Sequence, residues 1–220
     1  MDDPKLTTMR ITLFDNLDSF TWNLAHDLER LGASVNVVRE GMWREEIWNS
    51  TDGLVLSPGP GLPSEHPQLM HVLAEAMSRG VPILGVCLGM QAISEHWGGS
   101  LRNLPAPLHG RVSEIVWEAP LGQSPDWQSL WSEMPSPMVV GHYHSWVLDE
   151  SSLPECLHVK ARNGSGLIMA VVHGSLPIAG VQFHPESVLT PQGRDVLRLW
   201  LESAQRSLSI SALNVSLNFS

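Results

Sequence analysis

Residues 81–91, VPILGVCLGMQ, constrain the fold of this chain more than any other segment. An apolar run short enough for one buried strand ends at Val86, Cys87 follows, and a helical pattern begins at once, leaving no residues for a loop. Gly85 and Gly89 stand two residues to either side of the cysteine, where they leave room for a backbone that reverses within one residue. A strand passing directly into a helix is the repeating unit of parallel sheets.

The preceding residues repeat that unit. Met9–Asn16 reads as a buried strand, followed by a helix capped by Asp18 or Ser19, with Phe20, Leu24, Leu28 and Leu31 on one face and Gly32 at its end. Residues 34–40 and 52–59 read as further strands, with helices predicted over Trp43–Asn49, His66–Arg79 and, after Cys87, residues 88–99. Beyond Gly99 the texture changes. Residues 110–118, 136–145, 157–162, 166–174 and 176–183 are strand-like runs separated by Pro, Gly, Ser and Asn, which predicts an antiparallel extension of the same sheet. A last helix is predicted from Gln192 to Arg206, with Val196, Leu197, Trp200 and Leu201 on one face. The expected fold is α/β: an open, mostly parallel central sheet with an antiparallel extension and helices on both faces. Residues 1–207 form one domain in this reading, and 208–220 a tail without an assigned role.

Composition excludes several functions. With 43% hydrophobic and 16% charged residues the chain can build a core, so it is not a disordered segment. A formal charge of −10 disfavours a partner bound through phosphates, and no nucleic acid is expected. Cys87 and Cys156 are too few for a disulfide framework or a cysteine zinc site, so no metal is expected. The first ten residues are polar and no apolar run reaches about 18 residues, so the expectation is a soluble, cytoplasmic chain that engages no membrane. Nine tryptophans are many; Trp22, Trp97 and Trp200 fall on helix faces and read as core, and His144 and His173 read as structural.

Three segments carry chemistry. Cys87 sits in a strand, sharp turn and helix, the arrangement of a nucleophile elbow with sulfur in place of oxygen; a buried core cysteine is the other reading. VQFHPES supplies a base: Pro185 stops a strand behind His184, so the imidazole projects from a strand end, and Glu186 stands two residues on to orient it. A capping histidine beside a solvated glutamate is the plainer alternative. LSPGPG, residues 56–61, forms a rigid loop at the strand ends where ligands of open α/β folds bind, and Gly59 there can offer an unobstructed N–H, with Leu88 at the helix start offering a second. Without such company it is a tight turn.

In their order along the chain, DNLDSFTWNL, SPGPG, GVCLGMQAI, HGRV, YHSW and GVQFHPES resemble the class I, triad-type glutamine amidotransferases, and among them the small glutaminase subunits of anthranilate synthase and aminodeoxychorismate synthase. The resemblance spans roughly Arg10 to Glu202. It implies Cys87 as nucleophile, His184 as base and Glu186 as orienting acid, with Gly59 and Leu88 as the oxyanion hole. Gly59, Gly61, Gln91, Ser145 and Trp146 would bind glutamine, and His109, Gly110 and Arg111 would touch a partner. The activity implied is glutamine hydrolysis without a cofactor, feeding ammonia to a chorismate-using large subunit in a hetero-oligomer. Anthranilate formation comes first and 4-amino-4-deoxychorismate second; the rivals are a stand-alone γ-glutamyl hydrolase and a non-catalytic regulatory subunit. Met90, His142, Arg111 and Trp146 depart from the residues the family often has: His, Arg, Lys and Leu.

Overall fold

The computed structural model describes residues 8–118, 127 and 129–217. Its strands are β1 (Arg10–Asp15), β2 (Ser34–Arg39), β3 (Gly53–Leu56), β4 (Ile83–Val86), β5 (Leu101–Trp117), β6 (Met138–Leu148), β7 (Leu157–Asn163), β8 (Ile168–His173) and β9 (Ile178–Val181). The α-helices are α1 (Thr21–Arg30), α2 (Pro67–Ser78), α3 (Leu88–His96) and α4 (Gly193–Leu217). One sheet holds all nine strands in the order β2-β1-β3-β4-β9-β8-β7-β5-β6. Strands β2, β1, β3, β4 and β9 run parallel, and β8, β7, β5 and β6 extend the sheet by antiparallel pairing.

The continuous apolar character of the parallel strands follows from burial on both faces. Leu13, Val55, Leu84 and Val86 pack with Leu24 and Leu28 of α1 and with Val196, Leu197 and Trp200 of α4. Their alternates Phe14, Leu54, Leu56 and Ile83 pack with Leu69, Val72 and Leu73 of α2 and Leu88, Ala92 and Ile93 of α3. Truncating any fully buried leucine among these to alanine costs about 2–5 kcal/mol.

Several local expectations need correction. β9 belongs to the parallel half: it pairs parallel with β4 and antiparallel with β8, which makes it the seam between the two halves. Residues Glu45–Ser50 form a 3-10 helix in place of the α-helix expected over 43–49, with its start and middle held by Trp43 and Trp48, whose rings meet edge to face at 4.9 Å. Helix α1 begins at Thr21, after Phe20 in the N-cap position; Asp18 Oδ1 takes the Phe20 N–H at 2.8 Å and so shapes the entering turn instead of capping the helix. Trp200 is fully buried and Trp97 half-buried, but Trp22 is 59% exposed. Its position two residues before Leu24 sets it about 200° round the helix from the core stripe. Helix α4 continues past Arg206 through residues read as a tail. HGRV is part of β5, with Gly110 at φ +63° in a bulge of the pairing with β6.

Candidate active site

The β4–β9 pairing brings together segments far apart in sequence. Cys87 lies where β4 gives way to α3, with its N–H bonded to Val181 O of β9 at 2.8 Å and its carbonyl accepting the Gln91 N–H at 3.1 Å. Its backbone adopts φ +52°, ψ −102°, a region that costs about 1–3 kcal/mol for a residue with a side chain. The two flanking glycines allow it. A Cβ on Gly85 would collide with the Gly89 backbone, and one on Gly89 would lie 2.5 Å from Leu56 O. The turn leaves the sulfur at the first turn of α3, the helix end that attracts negative charge.

Beyond β9 the chain runs through Gln182 and Phe183 to His184, whose N–H bonds to Gly141 O of β6 at 3.1 Å. His184 Nδ1 and Glu186 Oε1 stand 2.7 Å apart, and both side chains are almost wholly buried. Thr190 Oγ1 donates to His184 O at 2.7 Å and accepts the Gly141 N–H at 2.9 Å, which fixes the loop. Phe20 and Tyr143 meet the imidazole edge to face, with centroids at 5.7 and 5.1 Å. Burial opposes a charged ring, but the Cys87 sulfur and the Glu186 carboxylate outweigh it and hold the His184 pKa well above the ordinary imidazole value. Nδ1 is taken by glutamate; Nε2 is the ring atom left for sulfur.

The SPGPG loop closes the third side. Asn16 Nδ2 donates to Ser57 O at 2.8 Å, and its N–H to Ser57 Oγ at 2.9 Å, so the end of β1 braces the loop. A Cβ on Gly59 would lie 2.6 Å from Leu88 Cδ2 and 2.9 Å from Asn16 O, which puts this glycine directly against the start of α3. Among the described residues neither the Gly59 nor the Leu88 amide donates to a neighbour. Gly61, at φ +71°, follows on the same loop. The loop is also held by His66, whose Nδ1 is 2.8 Å from Glu40 Oε2 and whose Nε2 is 2.9 Å from Pro60 O.

The fourth side is polar and buried. Gln91 Nε2 donates to Trp146 O at 3.0 Å and to Gln182 Oε1 at 3.2 Å, while Gln182 Nε2 lies 3.5 Å from Cys87 Sγ. His144 Nδ1 lies 3.1 Å from the same Trp146 carbonyl, His144 Nε2 is 3.2 Å from His142 Nδ1, and Ser113 Oγ is 2.7 Å from His142 Nε2. Burial depresses both rings, helped by His184 for His142 and by His142 for His144, taking His142 to about 4 and His144 to about 3. Neutral rings and a terminal carbonyl acceptor fix the protons: His144 Nδ1–H donates to Trp146 O, His142 Nδ1–H to His144, and the Ser113 hydroxyl to His142.

Pairwise contacts thus link Gly59 to Leu88, Cys87 through Gln182 to Gln91 and Trp146, and His184 to Glu186, with Gly61 on the Gly59 loop and half-buried Ser145 beside Trp146 on β6. His109, Gly110 and Arg111 are exposed one strand away, where His109 pairs with Tyr143 and Arg111 with His142. The sequence pattern singles out neither Gln182 nor His66. Gln182 lies inside GVQFHPES, two residues before His184, and that proximity was the available signal; His66 sits in no motif.

Comparison with known proteins decides the family. The pattern of "Glutamine amidotransferase class-I" matches residues 12–204. This chain belongs to the class I glutamine amidotransferases. The amidotransferase is 38% identical over 198 residues to "Anthranilate synthase component 2" of Azospirillum brasilense, covering 89% of this chain and 97% of that one. It is 36% identical over 200 residues to "Aminodeoxychorismate/anthranilate synthase component 2" of Bacillus subtilis, covering 90% and 98%. The amidotransferase fold is matched by the crystal structure of a glutamine amidotransferase from Thermotoga maritima, with a TM-score of 0.73, 16% identity and coverage of 90% of this chain and 98% of that one. Among the described residues no helix is long and apolar enough to cross a membrane.

Proposed function

We propose that this amidotransferase is the glutaminase component of a chorismate-using synthase, with Cys87 as nucleophile, His184 as acid and base, and Glu186 as the group that orients His184. The observation that carries this reading is the buried His184–Glu186 pair, which leaves Nε2 without a hydrogen-bond partner among the described residues and raises the ring's pKa together with the elbow sulfur. Cys87 sulfur attacks the glutamine amide carbon, and the oxygen's developing charge is taken by the Gly59 and Leu88 amides, each worth about 3 kcal/mol if correctly aimed. His184 gives its proton to the departing nitrogen, releasing ammonia and leaving a γ-glutamyl thioester. It then takes a proton from water, whose oxygen attacks the thioester carbon; glutamate leaves and the sulfur departs as the thiolate beside reprotonated His184. Gln91, Ser145, Trp146 and Gly61 hold the substrate's amino-acid end in this account.

Ammonia needs an acceptor site, and the relatives' names supply the class: component 2 of anthranilate synthase in one, of both synthases in the other. Anthranilate synthesis is our first assignment and 4-amino-4-deoxychorismate the second, which the Bacillus relative's double name favours. We assign a cytoplasmic hetero-oligomer, with the exposed His109–Arg111 bulge among its contacts. Glutamate release measured for the chain alone, with the synthase component, and with that component plus chorismate tests the assignment. Activity should rise across the three. Full activity in the first condition would favour a stand-alone γ-glutamyl hydrolase.

A further inference from the structure

His66 occupies the N-cap position of α2, outside every motif that pointed to the site, yet it reaches the SPGPG loop. Its ring is buried between Glu40, just after β2, and the carbonyl of Pro60. A carboxylate and a peptide carbonyl are both acceptors, and a neutral imidazole has one N–H to give. With a single proton, one of the two contacts, at 2.8 and 2.9 Å, would set lone pair against lone pair. Both are hydrogen bonds only when the ring carries both protons.

We propose that His66 is a positioning residue for glutamine hydrolysis: a doubly protonated imidazolium that anchors on Glu40 and clamps the Pro60 carbonyl, so setting the Gly59–Gly61 loop. The proposal rests on the reading of that loop as the substrate and oxyanion loop. Two physical effects follow. The clamp holds the loop at Pro60 and Asn16 holds it at Ser57, so the Gly59 N–H lies between two anchors. A charged donor on Pro60 O also polarises the Pro60–Gly61 peptide and makes the Gly61 N–H a stronger donor toward a bound anion or carbonyl.

The electrostatic surroundings agree. Burial works against the charged ring, but Glu40 and the Pro60 carbonyl, with Glu65 from the preceding turn, raise its pKa above the ordinary value. Those two carboxylates are the charged groups acting on it, and Glu65 Oε2 is also bonded to the Leu62 N–H at 2.9 Å. The sign is definite: both N–H groups are present below the raised pKa, and as pH rises through it one contact is lost. Glutamine binding should then weaken on the alkaline side.

The test combines nuclear magnetic resonance with kinetics. In the full chain the His66 ring should titrate with a midpoint above 6.5, the ordinary value, and the Gly61 amide signal should move with the same midpoint. His66→Gln identifies the ring signal and should abolish that movement. In the complex with the synthase component, His66→Gln should raise the KM for glutamine about tenfold below the midpoint and much less above it. Glu40→Gln should keep a low KM on both sides, because the new amide donates to Nδ1 of a neutral ring and leaves Nε2–H on Pro60. A His66 midpoint below the ordinary value, or a Gly61 amide indifferent to it, would overturn the clamp even if the glutaminase reading stands. Loss of glutaminase activity in the unmodified complex, with the titrations intact, would overturn the functional reading alone.

Discussion

Gln182 Nε2 stands 3.5 Å from the Cys87 sulfur while Gln182 Oε1 accepts an N–H from Gln91 at 3.2 Å. One fully buried amide thus fixes the nucleophile relative to the side chain assigned to the substrate. Gln182→Leu keeps most of the volume and removes both bonds, leaving a Gln91 N–H unpaired. It should lower kcat/KM for glutamine by about 10- to 100-fold. Steady-state glutamate release, checked against an unchanged thermal midpoint, measures this; wild-type kinetics would remove Gln182 from the site.

The His184–Glu186 contact predicts an order of severity. His184→Ala removes the proton donor and acceptor and should prevent accumulation of the γ-glutamyl thioester. Glu186→Gln keeps a group beside Nδ1 without its charge and should slow thioester formation while leaving turnover. Rapid quench with mass spectrometry of the Cys87 peptide distinguishes them. Equal, full rates in both variants would mean that the pair does not act.

Two glycines should fail differently. Gly59→Ala forces its methyl against Leu88 and the Asn16 backbone at the surface of the site, so glutaminase activity should fall well before stability does. Gly89→Ala drives a methyl onto Leu56 O of a central strand and should lower the thermal midpoint sharply. Calorimetry beside activity separates the two outcomes.

The neutral histidine pair predicts a pH effect on stability. Because the folded protein holds His142 near 4 and His144 near 3, the unfolded chain binds more protons below the ordinary value of 6.5. Stability should therefore fall as pH drops from about 6.5 toward 4, by on the order of 3 kcal/mol for His142. Denaturant melts should show a shallower decline for His142→Gln. An identical slope would mean that folding does not lower the His142 pKa.

The readable part of the fold was the part built from spacing. Gly85 and Gly89 announce an elbow because close backbone approach needs glycine, and the doubly buried strands announce themselves as unbroken apolar runs. A strand of four residues carries no mark of its neighbour's direction, so only the register of β9 with β4 reveals that it belongs to the parallel half. The exposure of Trp22 can be counted only once the core stripe of α1 is known. Gln182 and His66 act through single contacts made by tertiary pairing, and a lone Gln or His has no periodicity to read.

The most direct test of the whole account replaces Cys87 by serine and supplies the reconstituted complex with either glutamine or ammonia. The hydroxyl is a far weaker nucleophile beside this base, so glutamine-dependent formation of the aminated chorismate product should vanish while ammonia-dependent formation continues at the wild-type rate. Persistence of glutamine-dependent synthesis in Cys87→Ser would contradict the account.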